Sequence, residues 1–130
     1  MNPHEEQFVR SFVVPAKREW YLTLLKSKRG RSKLLDGFNH CRDLNPQYAT
    51  LIPSNQQSEP SIEALLRRKG APETCYVMSD NDDIDGREMS LSSALTETVG
   101  MGAGTFISCV AGKLGYFELE DLSERYILER

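Results

Sequence analysis

Two short stretches of this 130-residue chain carry residue types dense enough to do chemistry. The first is Ser79-Asp-Asn-Asp-Asp-Ile-Asp-Gly-Arg-Glu-Met89, with five acids and one glycine in eleven positions. Aligned on Gly86, the run Asn81-x-Asp83-x-Asp85-Gly86 reproduces the first half of a calcium-loop spacing. In such a loop alternate residues aim oxygens at one hard cation, and the glycine permits the sharp turn. The second half departs from the pattern, because Ser92 stands where the closing bidentate carboxylate belongs. Calcium or magnesium is what Asn81, Asp83 and Asp85 would take if Glu88, or an acid from elsewhere, folded over to close the shell. Without that ligand the stretch is an acidic turn joining two strands.

The second stretch, Lys26-Ser-Lys-Arg-Gly-Arg-Ser-Lys33, places five cations in eight positions. Gly30 is expected to end one helix and Ser32 to cap the next. Lys26, Lys28, Arg29, Arg31 and Lys33 would then surround a helix N-terminus, whose free amides and dipole favour an anion. Phosphate or nucleic-acid backbone is the matching ligand class. A chain pI near 5.4 and the lack of a known nucleic-acid-binding motif keep nucleic acid from being the favoured partner.

Nucleophilic chemistry finds little support. His40 and Cys41 are adjacent, but neighbours on a helix point about 100° apart. Cys41 falls on an apolar stripe with Leu34 and Phe38, whereas His40 faces out, and His4 lies near a terminus expected to fray. The three cysteines, Cys41, Cys75 and Cys109, show no C-x-x-C pairing and read as buried thiols. Val99-Gly-Met-Gly-Ala-Gly-Thr105 is glycine-rich. It leads from a helix into a strand, however, the reverse of a phosphate-cradling loop, and reads as a helix stop plus a turn.

The elements that position these residues follow from period and punctuation. Pro15 opens a helix on which Trp20, Tyr21, Leu24 and Leu25 fill one face. Leu34, Leu35, Phe38 and Cys41 stripe a second helix that Asn45-Pro46 closes. Residues 53–60 form a polar, proline-bracketed loop, and Ser61 caps a short helix that Gly70 and Pro72 stop. Residues 74–78 read as a strand, and Ser90 caps a helix ending at Gly100. Residues 105–110 and 113–118 form a hairpin about Ala111-Gly112, and 125–129 a last strand. The expected fold class is α+β: N-terminal helices on a small mixed or antiparallel sheet of four to five strands, with one intervening helix.

Length and composition fit one globular domain, with 39% hydrophobic and 27% charged residues. Within 1–130 the expected parts are a basic helical portion (1–52), a loop (53–60) and an acidic α/β portion (61–130). Residues 1–70 carry twelve Lys/Arg against seven Asp/Glu (+5), and residues 71–130 four against twelve (−8), together the chain's −3. Neither a signal peptide nor a membrane-crossing run is evident, so the expectation is a cytoplasmic protein without membrane contact. Segregated charge and sparse catalytic groups point to a non-enzymatic binding or interaction protein without a cofactor. It would meet a macromolecular partner, or a second copy of itself, through the basic joint or the acidic loop. The alternative is a metal-dependent enzyme built on Asp83 and Asp85.

Overall fold

In the computed structural model, which describes every residue except Leu122, one antiparallel sheet lies between two layers of helices. The helices are α1 (Pro3–Phe12), α2 (Arg18–Leu24), α3 (Lys28–Phe38), α4 (Glu59–Arg68) and α5 (Leu91–Thr98). The strands are β1 (Ala49–Leu51), β2 (Thr74–Ser79), β3 (Glu88–Ser90), β4 (Thr105–Val110), β5 (Leu114–Glu118) and β6 (Arg125–Glu129). They lie in the order β1-β6-β5-β4-β2-β3.

The α+β expectation holds in its coarse form, and its details change. The sheet has six strands rather than four to five, every described pairing is antiparallel, and helices cover both faces. The two added strands, β1 and β3, have three residues each and sit at the edges, too short to show a period.

Alternation assigns the core. Tyr76, Met78, Phe106, Phe117 and Leu128 face α1–α3, while Val77, Ile107, Cys109, Tyr116 and Ile127 face α4 and α5. The central strands are therefore buried on both sides and read as continuous apolar runs, as sandwiched strands do. Phe8 of α1 meets Phe38 of α3 edge-on at 5.4 Å and lies 4.6 Å from Phe106 of β4, so one aromatic cluster fastens two helices to the sheet. Each fully buried phenylalanine contributes about 1.5–3 kcal/mol of apolar burial.

The N-terminal segment, expected to fray, forms a capped and packed helix. The Asn2 side chain accepts from His4 N and Glu5 N, Pro3 opens α1, and Phe8, Val9 and Phe12 are buried. The joint between α2 and α3 also differs from expectation. Ser27, not Ser32, caps α3 through Gly30 N, and Gly30 lies inside the helix. Ser58, not Ser61, caps α4, which takes up the end of the expected loop.

Candidate functional site: the basic helical surface and the clamp behind it

The two stretches that the sequence singles out meet at one guanidinium. Arg31 of α3 reaches Glu5 of α1 through Nε (3.0 Å) and Nη2 (2.7 Å), and Asp85 of the β2–β3 connection through Nη1 (2.6 Å) and Nη2 (2.9 Å). Two bidentate carboxylates exploit the planar donor fork that arginine has and lysine lacks. The Tyr76 hydroxyl of β2 donates to Glu5 Oε2, and Ser79 N donates to Asp85 Oδ1 at 3.0 Å. His4 stacks on Tyr76 with centroids 5.3 Å apart, and its Nδ1 shares a 2.6 Å hydrogen bond with Ser108 Oγ. The Glu5 side chain is 7% exposed and that of Arg31 23%. Asp85 foremost, and then Glu5, raise the Arg31 pKa and hold the guanidinium charged. Burial foremost, and then the Glu5 hydrogen bond, raise the Tyr76 pKa and hold the phenol protonated. The cluster is a clamp that ties α1, α3, β2 and the acidic loop together.

The other acidic-loop residues point elsewhere. Asn81 Oδ1 accepts from Asp83 N at 3.0 Å, and Gly86, at φ +72°, donates its N–H to Val77 O. Ile84 is buried in the core under α5. The Asp83 side chain is exposed, and Glu88 is exposed on edge strand β3. Among the described residues no three His, Cys, Asp or Glu side chains converge as a metal site would require.

With Arg31 turned inward, Lys28, Arg29 and Lys33 of α3 and Lys26 of the turn before it remain exposed. Trp20, assigned in sequence to the apolar face of its helix, is instead 47% exposed. Lys17 Nζ stands 5.9 Å and Lys33 Nζ 5.6 Å from its ring centroid, within cation–π range. Among the described residues, none of Lys17, Lys26, Lys28, Arg29 or Lys33 has an acid within 4 Å, although eight Lys/Arg–carboxylate pairs form elsewhere. The sequence signal for Trp20 was its basic neighbourhood, with Lys17 three residues earlier. The spacing of Tyr21, Leu24 and Leu25 outweighed it.

The glycine-rich run closes on the protein's own carboxylate. Gly100, at φ +78°, donates its N–H to Glu118 at 3.0 Å, the Tyr116 hydroxyl donates to the same group at 2.6 Å, and Arg125 Nε stands 3.6 Å away. Glu118 is fully buried. Burial pushes its carboxyl above the usual range, against the pull of Tyr116, Arg125 and the amides of Gly100 and Gly102. An internal carboxyl thus occupies the amides that a phosphate would need.

Cys41 is buried and His40 is exposed, with its Nε2 3.3 Å from Glu120. Burial foremost pushes the Cys41 thiol up, and likewise raises Cys75 to about 11 and Cys109 to about 12. All three therefore stay as thiols near neutral pH, unlike an activated nucleophile. Compared with known proteins, the chain matches no family model, no curated protein and no solved structure.

Proposed function

We propose that this is a non-enzymatic binding protein whose α2–α3 surface docks a polyanionic macromolecule. The observation that carries this reading is the set of five exposed cations, unpaired among the described residues, around the exposed Trp20. Among the described residues six of the eleven cations elsewhere pair with acids, whereas none of these five does, and cations clustered without acids around one ring favour an external anion. These cations run from Lys17, just before α2, through Lys26 in the turn to Lys28, Arg29 and Lys33 on α3, a spread that suits a strip of phosphates better than one small anion. The engagement of Asp85 with Arg31 weighs against the alternative that makes Asp83 and Asp85 metal ligands of an enzyme.

The test uses a fluorescent single-stranded oligonucleotide and inorganic polyphosphate as probes. Affinity for both falls as salt rises, and the Lys28→Ala/Arg29→Ala/Lys33→Ala variant shows a log–log salt slope shallower by about 0.7 for each phosphate it no longer neutralises. Trp20→Ala weakens the oligonucleotide by about 1–3 kcal/mol if a base stacks there and leaves polyphosphate unchanged. Binding indifferent to salt, or retained in full by the triple variant, overturns the reading.

A further inference from the structure

Strand β1 is an open sheet edge, and its free groups follow from its register. Ala49, Thr50 and Leu51 face Leu128, Ile127 and Tyr126. Ile52 N donates to Arg125 O and Glu129 N to Tyr48 O, so residues 48, 50 and 52 direct their main-chain groups into the sheet. By the alternation of an antiparallel ladder, the N–H and C=O groups of Ala49 and Leu51 point outward. Among the described residues nothing pairs with them.

A cavity flanks this edge on each face of the sheet. The first, about 230 Å³, is lined by Cys41, Leu44, Pro46, Ala49 and Tyr126. The second, about 210 Å³, is lined by Thr50, Ile52, Leu65 and Ile127. Both fall below the ~300 Å³ at which small-molecule sites begin, so each suits a single side chain. An extended strand laid along β1 would send successive side chains to opposite faces, and so toward the two cavities in turn.

We propose that the occupant of this edge is a second copy of the chain, paired antiparallel through β1 about a two-fold axis at Thr50. Rotation about that axis sets Ala49 opposite the second copy's Leu51 as a hydrogen-bonded pair, twice over, and satisfies every outward group of both strands. Centring the axis on Leu51 instead would place Pro53, which has no N–H, opposite Ala49. Centring it on Ala49 would require Gln47, whose N–H is already bonded to Asn45 Oδ1. In the Thr50 register the second copy's Leu51 lies beside Ala49, the smallest residue lining the first cavity. Leu51 is 53% exposed in the single chain, and this neighbour would cover it. On the other face the two threonines adjoin, a favourable cross-strand pair.

The rim charges agree with this occupant. Arg42 pairs with Glu124 at 3.7 Å beside the first cavity, and Lys69 with Glu129 at 2.7 Å beside the second. Each rim is balanced, so a second copy meets no like-charge repulsion, while a strongly charged partner gains no field. Pro46 and Pro53 bracket the edge and confine pairing to a short window, which favours a closed pair over an open fibre.

Sedimentation velocity on the full chain, from micromolar to millimolar concentration, tests the pairing. The weight-average mass should rise from 14.7 kDa toward twice that value. Leu51→Pro removes only an outward donor and leaves the Ile52 and Glu129 bonds to act, so it should stay folded by circular dichroism and remain monomeric. Leu51→Lys should do the same through its side chain. Under mild oxidation Thr50→Cys should cross-link to a covalent dimer in high yield, whereas Asn55→Cys should not. The proposal is overturned by a monomer at every concentration, by a dimer that both folded Leu51 variants retain, or by a Thr50→Cys yield no greater than that of Asn55→Cys. A chain that stays monomeric yet takes up an unrelated extended peptide at β1 overturns it as well.

Discussion

Arg31 shows how one side chain can join two stretches that look separate in sequence. A run of five cations and a run of five acids look like two ligand-binding features in sequence, yet the fold joins them through this guanidinium. The bond arrangement sets a large cost for breaking it, since Glu5 is buried and its countercharge is Arg31. Replacing Arg31 with Met should lower unfolding free energy by about 3 kcal/mol, measured by denaturant titration. Adding Glu5→Gln to that variant should restore part of the loss, because the stranded charge is then gone. A penalty below about 1 kcal/mol for Arg31→Met would mean that the clamp contributes no more than an exposed ion pair.

At the scale of elements, α3 carries two glycines in opposite circumstances. A Cβ at Gly30 would run into the Leu24 carbonyl oxygen and stand 2.9 Å from the Leu24 Cα, so the helices meet there through bare backbone. A Cβ at Gly37 meets nothing within 4 Å. Gly37→Ala should therefore raise stability by up to about 1 kcal/mol through helix propensity. Gly30→Ala should lower it by about 1–3 kcal/mol by forcing backbone apart, a sign reversal that thermal unfolding of the two variants would register. Gly30 also marks how far the elements were legible. Its presence after an apolar stripe reads as a helix stop, and only the neighbouring helix reveals that closeness is what glycine provides. The hairpin at Ala111-Gly112, the cap at Ser90 and the last strand were legible because local signals agree with the tertiary outcome. Strands β1 and β3 were not, since three residues show no period and their pairing depends on chain far away. For the candidate surface, the cluster of cations could be read directly. The inward turn of Arg31 and the exposure of Trp20 could not, because both depend on which face of α2 and α3 meets the sheet.

For the molecule as a whole, the buried Glu118 gives stability an unusual response to pH. A carboxyl whose folded pKa stands above its unfolded value binds more protons in the fold than in the unfolded chain. Its share of stability is full below the ordinary glutamate range, about 4.3, and declines as pH rises through the folded pKa. Glu118→Gln keeps an acceptor for the Gly100 amide and removes the titration. The difference in unfolding free energy, wild type minus variant, should therefore fall as pH is raised from about 4, followed by denaturant titration at each pH. A difference that stays flat or grows would show that the carboxyl is not held above its usual range. The strand order has a consequence of another kind. β6, residues 125–129, lies inside the sheet between β1 and β5, so β1 has no neighbour until that segment exists. During synthesis, residues 49–51 leave the ribosome more than seventy positions ahead of the strand they must join. Throughout that interval the main-chain groups of Tyr48, Thr50 and Ile52 that β6 later satisfies lack their sheet partner, which leaves this segment open to wrong pairing.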